Sequence, residues 1–342
     1  MTSVPAIGAS PPRSSSVSAT EEYSSIDADG SGRFVHSGGM RWYVAGASAV
    51  QQARPRLLLL HGTGSSSGSW SRLVSALGGR FEIIAPDLPG HGRSGNLPPG
   101  KTGLDAFASS LTALSGDLGW PDLIVGHSAG AAIAAKMLLA KADALQGSAG
   151  ADVGRVRILS INGALRPLSG LTAAAFVPMA RLMGSTPFVP GLMASAVSCL
   201  VAADRGAVRR LLDSTGSRVD PGMVGLYQNL LRSPAHVAGT LRMLTHWDLS
   251  ELTGELPRLG SQLTLIVGES DKTVAPSDAD WVRARVPGCG LVRLPGLGHL
   301  AHEEQPARIA RIIVESLAGA DATAPPNPIG TAAAANGTGA AP

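Results

Sequence analysis

The chain has 342 residues, 44% of them hydrophobic and 15% charged, with a formal net charge of +3. That length suits one large α/β domain or two small ones, with a sizeable apolar core under a surface rich in Ala, Gly and Ser. Lys101, Lys136, Lys141 and Lys272 are the only lysines among 28 cationic residues, the rest being arginine. No basic run or aromatic–basic stripe occurs, which excludes the usual footprint of a nucleic-acid-binding protein.

The first 33 residues, "MTSVPAIGASPPRSSSVSATEEYSSIDADGSGR", hold no basic segment followed by an apolar run, so no signal peptide is expected. Residues 1–32 and 319–342 are rich in small residues and proline and read as disordered tails. "RFVHSGGMRWYVAG" (33–46) reads as a hairpin around Ser37-Gly38-Gly39. "RLLLLHG" (56–62) is a continuous apolar run ending at glycine, the signature of a buried parallel strand. "FEIIAPD" (81–87), "LIVGHS" (123–128), "VRILSING" (156–163), "LTLIVGES" (263–270) and "LVRLPG" (291–296) repeat it. Helical patterns fall between most of them, at roughly 71–78, 103–117, 129–144, 277–285 and 305–319. Such alternation implies βαβ units and a mostly parallel sheet.

One interval breaks the rhythm. From about Leu165 to Ser250 only helical and proline-broken apolar segments occur, the richest being "FVPMARLMGSTPFVPGLMASAVSCLVA" (176–202). This predicts a helical cap, 165–250, inserted between sheet strands of a core formed by 33–164 and 251–318. It would sit over the strands' C-terminal ends, where open α/β sheets bind ligands. The 176–202 stretch reads as core or pocket lining, with weak membrane contact as the alternative. No run of about 18 apolar residues predicts a membrane span. Cys199 and Cys289 lie far apart, with neither disulfide nor zinc-site spacing, which fits a reducing, cytoplasmic setting.

Gly126-His127-Ser128-Ala129-Gly130 matches G-x-S-x-G, the strand-to-helix turn that exposes a nucleophilic serine. Glycines and a small neighbour are needed because the turn is too tight for bulk. A serine needs a base, and the base an orienting acid, in the chain order Ser, acid, His. Of eight histidines, His299 and His302 follow the last predicted strand. His299, after Gly298, is the candidate base and His302 a helix-start residue. Asp271, 28 residues before His299 and just past a strand, is the candidate acid, with Glu269, Asp248 and Asp278 as alternatives. The backbone N–H groups of Thr63, in "HGTGSS", and Ala129 are the candidate oxyanion hole. His61 and His91 read as loop-bracing residues, and His127 points away from the nucleophile but within reach of a ligand. No cofactor is expected: "HGTGSSSGS" lacks a P-loop lysine, and no His/Asp/Glu cluster has metal-ligand spacing. The set predicts an α/β-hydrolase fold with a Ser128–Asp271–His299 triad, an arrangement that peroxidase-like and lyase variants share.

"LLLLHGTGSSSGSW", "APDLPGHGRS" and "VGHSAGAAIAAKM" resemble the α/β-hydrolase superfamily at large. "SINGALRPLSGL", "RRLLDSTGSRVDPGMVGLYQNLLRSPAHVAGTLRMLTHWDL" and "LPGLGHLAHEE" resemble the magnesium-chelatase accessory proteins of bacteriochlorophyll synthesis, a likeness over roughly 33–318. The resemblance implies a role near Mg²⁺ insertion into protoporphyrin and contact with magnesium-chelatase subunits. Two functions follow. One is serine hydrolysis of an ester or porphyrin-related compound. The other is a non-catalytic module binding porphyrin or chelatase, with Arg166, Arg181, Arg232 and Arg242 as candidate propionate partners and His236 and His246 as candidate ligands of a chelated metal.

Overall fold

The structure, a computed structural model, describes residues 32–46, 54–98, 100–145, 156–167, 189–204 and 206–321. The expected N-terminal tail, apart from Gly32, and the expected C-terminal tail from residue 322 lie outside the described residues.

Among the described residues, eight strands form one sheet in the order β1-β2-β4-β3-β5-β6-β7-β8. The hairpin β1 (Arg33–Ser37) and β2 (Met40–Ala45) is antiparallel and joins antiparallel to β4 (Glu82–Pro86). From β4 onward, β3 (Arg56–Leu60), β5 (Leu123–His127), β6 (Arg157–Ile161), β7 (Leu263–Gly268) and β8 (Gly290–Leu294) run parallel. The unbroken apolar runs reflect burial on both faces. Leu58, Leu60, Ile124, Ile158 and Leu265 fill one core with α2 (Gly103–Leu118) and α3 (Ala129–Ala144). Leu57, Leu59, Leu123, Val125 and Ile266 fill the other, with α1 (Ser71–Leu77) and α11 (Pro306–Asp321). The last helix therefore runs three residues into the segment expected as tail. Strands burying alternate residues on opposite faces need apolar side chains at every position.

Helix α3 lies unusually near the sheet. A Cβ at Gly130 would fall 2.2 Å from the Leu60 carbonyl oxygen and 2.7 Å from that of His61. At Gly126 it would meet the Ala131 Cα at 2.5 Å. Ala129, Ala131, Ala132, Ala134 and Ala135 are all buried, so the alanine-rich pattern here marks close helix–sheet approach.

Between β6 and β7 come α4 (Val189–Ala203), α5 (Ala207–Ser214), α6 (Pro221–Arg232), α7 (Pro234–Thr245) and α8 (Ser250–Glu255). Two of their starts are written in the sequence: Asp220 caps α6 through the N–H groups of Gly222 and Met223, and Ser233 caps α7, each followed by proline. Leu252 of α8 joins the sheet's core, whereas Val208, Leu212, Met223, Leu226 and Leu230 form a core of the cap's own. Helices α9 (Pro276–Arg283) and α10 (Ala301–Glu304) complete the order. Of the 176–202 stretch, 176–188 lies outside the described residues. Ala194 and Val201 are buried as expected, but Leu192 and Leu200 are 75% and 68% exposed, because α4 turns only one face to α6 and α7. No single helix among the described residues is long and apolar enough to cross a membrane.

Gly225, inside α6, has nothing within 4 Å of where a Cβ would stand. Gly225→Ala should therefore stabilise the protein by about 0.5–1 kcal/mol in urea unfolding, and Gly130→Ala should destabilise it by about 2–3 kcal/mol. Equal midpoints for the two variants would contradict the close approach of α3 to β3.

Candidate active site

Ser128 stands between β5 and α3 at φ 52° and ψ −117°, a left-handed conformation that costs a non-glycine residue about 1–3 kcal/mol. The turn is held from three sides: the Ser128 N–H donates to the Ile161 carbonyl, and the Ser128 carbonyl accepts from Ala131 and Ala164. The side chain stands partly exposed at the N-terminus of α3.

Gly298 delivers His299, whose Nδ1 is 2.8 Å from Asp271 Oδ2. The other Asp271 oxygen accepts the N–H groups of Thr273 and Val274, at 2.7 and 3.0 Å. With both carboxylate oxygens engaged, the Asp271 plane is set, His299 donates from Nδ1, and Nε2 keeps its lone pair as a base requires. Asp271 and His299 are thus brought together. The Ser128 hydroxyl makes no hydrogen bond among the described residues, to His299 included. The rival acids stand elsewhere. Glu269 is exposed, Asp278 pairs with Arg166 at 3.0 Å, and Asp248 accepts from Ser250.

The loop after β3 lies against this turn: a Cβ at Gly62 would come within 3.0 Å of the Ser128 Cβ. Thr63 follows Gly62, and its hydroxyl donates to the Met243 sulfur of α7 at 3.6 Å. Neither the Thr63 nor the Ala129 N–H has a protein acceptor among the described residues.

Asn162 carries a role that the sequence reading missed. It is the second non-glycine residue with positive φ (45°) among those described. Its Nδ2 donates to the Gly298 and His299 carbonyls at 2.8 and 2.7 Å, and its Oδ1 accepts the Gly268 N–H at 2.7 Å. One amide thus joins the end of β6 to the loops carrying Asp271 and His299. The signal was an asparagine just past a strand, since asparagine tolerates left-handed backbone.

Of the remaining histidines, His61, His91, His127, His236 and His302 are buried, and His36 and His246 are exposed. His127 is buried and donates from Nε2 to the His299 carbonyl at 2.9 Å, so the expectation that it reaches a ligand is corrected. Burial, then the neighbouring His302 and His299, hold its pKa well below the usual value. His302 is sealed between Trp70 and His127, its ring centroid 4.4 and 4.5 Å from theirs, and burial lowers its pKa to about 3. His61 accepts from the Leu88 N–H and donates to the Gly62 carbonyl. His236 accepts from Gly92 and donates to the Gly64 carbonyl, which spends both nitrogens and leaves no lone pair for a metal. His246 is exposed, with Nδ1 beside the Arg242 carbonyl and the Thr245 hydroxyl. No group of three potential metal ligands occurs among the described residues. Of the arginines, Arg166 is tied to Asp278, Arg242 donates to Asn96, Arg232 is exposed, and Arg181 lies outside the described residues.

The α/β-hydrolase family profile matches residues 57–312. The chain belongs to the α/β-hydrolase family. Within it, the chain is 36% identical to the magnesium-chelatase 30 kDa subunit of Rhodobacter capsulatus, over 78% of this chain and 87% of that one. It is 25% identical to the pimeloyl-[acyl-carrier protein] methyl ester esterase of Nitrosomonas europaea, over 72% and 88% of the two chains. The enol-lactonase of Burkholderia xenovorans shares the fold at a TM-score of 0.62 and 18% identity, covering 84% of this chain and all of that one.

Replacing Asn162 by alanine strands a buried N–H and removes a donor from two buried carbonyls. The variant should lose about 2–4 kcal/mol of unfolding free energy in urea, and a loss below about 0.5 kcal/mol would rule out the clamp.

Proposed function

We propose that this α/β-hydrolase is a serine hydrolase that cleaves an ester or related acyl compound, with a porphyrin derivative as the substrate class. The observation that carries this reading is the Asp271–His299 pair, fully oriented at the same sheet edge where Ser128 is held in a strained, partly exposed turn. The Ser128 hydroxyl attacks the substrate carbonyl carbon while His299 Nε2 takes its proton. The carbonyl π electrons move to oxygen, and the N–H groups of Thr63 and Ala129 donate hydrogen bonds to that oxyanion at the N-terminus of α3. Collapse expels the alcohol, which leaves with the proton from His299. Water then attacks the acyl-enzyme with His299 again as base, releasing acid and free Ser128. Asp271 holds the imidazole tautomer and stabilises the imidazolium.

The likeness to a protein named as a magnesium-chelatase subunit supports a place for this chemistry beside magnesium chelation, in contact with chelatase components. It also favours a second reading, in which the fold binds a porphyrin or chelatase component without catalysis. The exposed Leu192, Leu200 and Leu211 supply apolar surface for that reading.

A fluorophosphonate probe separates the two. The wild type should be labelled at Ser128, with labelling abolished in Ser128→Ala and reduced by about 10³-fold or more in His299→Ala. Folded wild type that stays unlabelled would sink the hydrolase reading, and co-purification with chelatase subunits or porphyrin titration would then decide for the binding module.

A further inference from the structure

One buried phenol touches both loops that the proposed chemistry needs. Tyr227, on α6 of the cap, is 7% exposed. Its hydroxyl donates to Glu303 Oε1 at 2.7 Å and is hydrogen-bonded to Ser65 Oγ at 3.2 Å. Ser65 closes the turn that presents Thr63, its N–H donating to the Gly62 carbonyl at 3.2 Å. Glu303 is fully buried on α10, directly after the His299 loop. The contact is not isolated. The Leu300 N–H donates to Ser217 Oγ at 2.8 Å, the His299 N–H to the Thr215 carbonyl at 3.4 Å, and the Arg218 N–H to Glu304 Oε2 at 3.0 Å. Leu300 itself lies in the cap's own core.

We propose that Tyr227 is a positioning residue contributed by the cap, whose hydroxyl ties the Thr63 loop to the His299 loop through Ser65 and Glu303, so that the site keeps its geometry only while α6 is seated. The proposal rests on the hydrolase reading for its catalytic consequence. It rests on the buried contacts alone for the tether.

The Glu303 pKa is raised to about 8, chiefly by burial and in smaller part by Asp220, which caps α6, and the adjacent Glu304, against the Tyr227 hydrogen bond and Arg72 of α1, which lower it. His302 Nε2 lies 3.7 Å away but is neutral, its pKa held near 3 by burial. Glu303 Oε2 has no hydrogen-bond partner among the described residues, so an ionised Glu303 would place an uncompensated charge in the seam. The sign follows from linkage. With the cap lifted and Glu303 hydrated, its pKa returns toward about 4.3. Between that value and about 8 the seated state binds the extra proton, so seating weakens as pH rises through this window and levels off above it.

The test compares wild type with Tyr227→Phe and Glu303→Gln, each checked for native circular dichroism. Tyr227→Phe should slow probe labelling of Ser128 about tenfold at pH 7. Glu303→Gln, which still accepts from Tyr227, should keep the wild-type rate at pH 7 and lack the wild-type decline toward pH 8.5. Amide hydrogen exchange gives a readout independent of chemistry. Protection of residues 221–232 in wild type, taken relative to Glu303→Gln to cancel the histidine contributions, should fall several-fold between pH 7 and 8.5. Wild-type labelling rates in Tyr227→Phe, or parallel pH dependence of exchange in wild type and Glu303→Gln, would overturn the proposal. Intact exchange behaviour with no labelling of any variant would instead overturn the hydrolase reading and support Tyr227 as a tether without a catalytic consequence.

Discussion

Helix α3 comes so near the end of β3 that Gly130 has no room for a methyl group beside the Leu60 carbonyl, and much of the candidate site inherits that constraint. The close approach forces Ser128 into a left-handed turn, which projects its side chain from the sheet edge and places the first N–H groups of α3 beside it. It also brings the Gly62 loop against Ser128, which sets where Thr63 stands. A looser contact would relax the strained serine and separate the two proposed oxyanion donors together. Strain at such a position persists only because the surrounding packing over-determines it. Here that packing is an alanine face with almost no conformational entropy to lose.

Around this turn the second layer is built from neutral, buried polar groups. Asn162, His127, His302, Tyr227 and Glu303 surround the His299 loop, and each lowered histidine pKa has burial as its largest cause. Neutral neighbours matter physically. A second charged imidazole beside His299 would oppose the imidazolium that the proposed mechanism requires, whereas fixed carbonyl and amide dipoles orient the ring without that repulsion. The same logic holds in the His61–His91–His236 stack, whose rings brace the loops after β3 and β4 against α7.

The fold was legible because its strands are buried on both faces and so appear as apolar runs, each closed by glycine or a turn residue. The pairing of Asp271 with His299 was legible for a related reason: each follows a strand, in the order the fold demands, with glycine supplying the bend. Asp271 is preferred to Glu269 in the sequence because it lies farther past the strand, and two residues along that loop decide which carboxylate meets the imidazole and which meets solvent. Asn162 was quoted within a strand and passed over, because its three partners lie more than a hundred residues away in sequence. Tyr227 and Glu303 were hidden for the same cause. On α6 the tyrosine reads as an ordinary apolar-face residue, and only the docking of the cap gives its hydroxyl two partners. The exposed leucines of α4 were misjudged because hydropathy reports what a residue would prefer, not which side of a helix finds a neighbour.

Leu300 sits in the hydrophobic cluster of the cap although it belongs, by chain position, to the sheet domain. Its backbone N–H is also bonded into the cap, through Ser217. The boundary between the two parts of the molecule therefore does not coincide with any joint in the chain. Cutting out the cap would expose an apolar side chain and a buried carboxylic acid at and just beyond the loop that carries His299. Part of the cap's interior is thus encoded after β8, and exchanging residues 165–250 alone would leave Leu300 and Glu303 without their present partners.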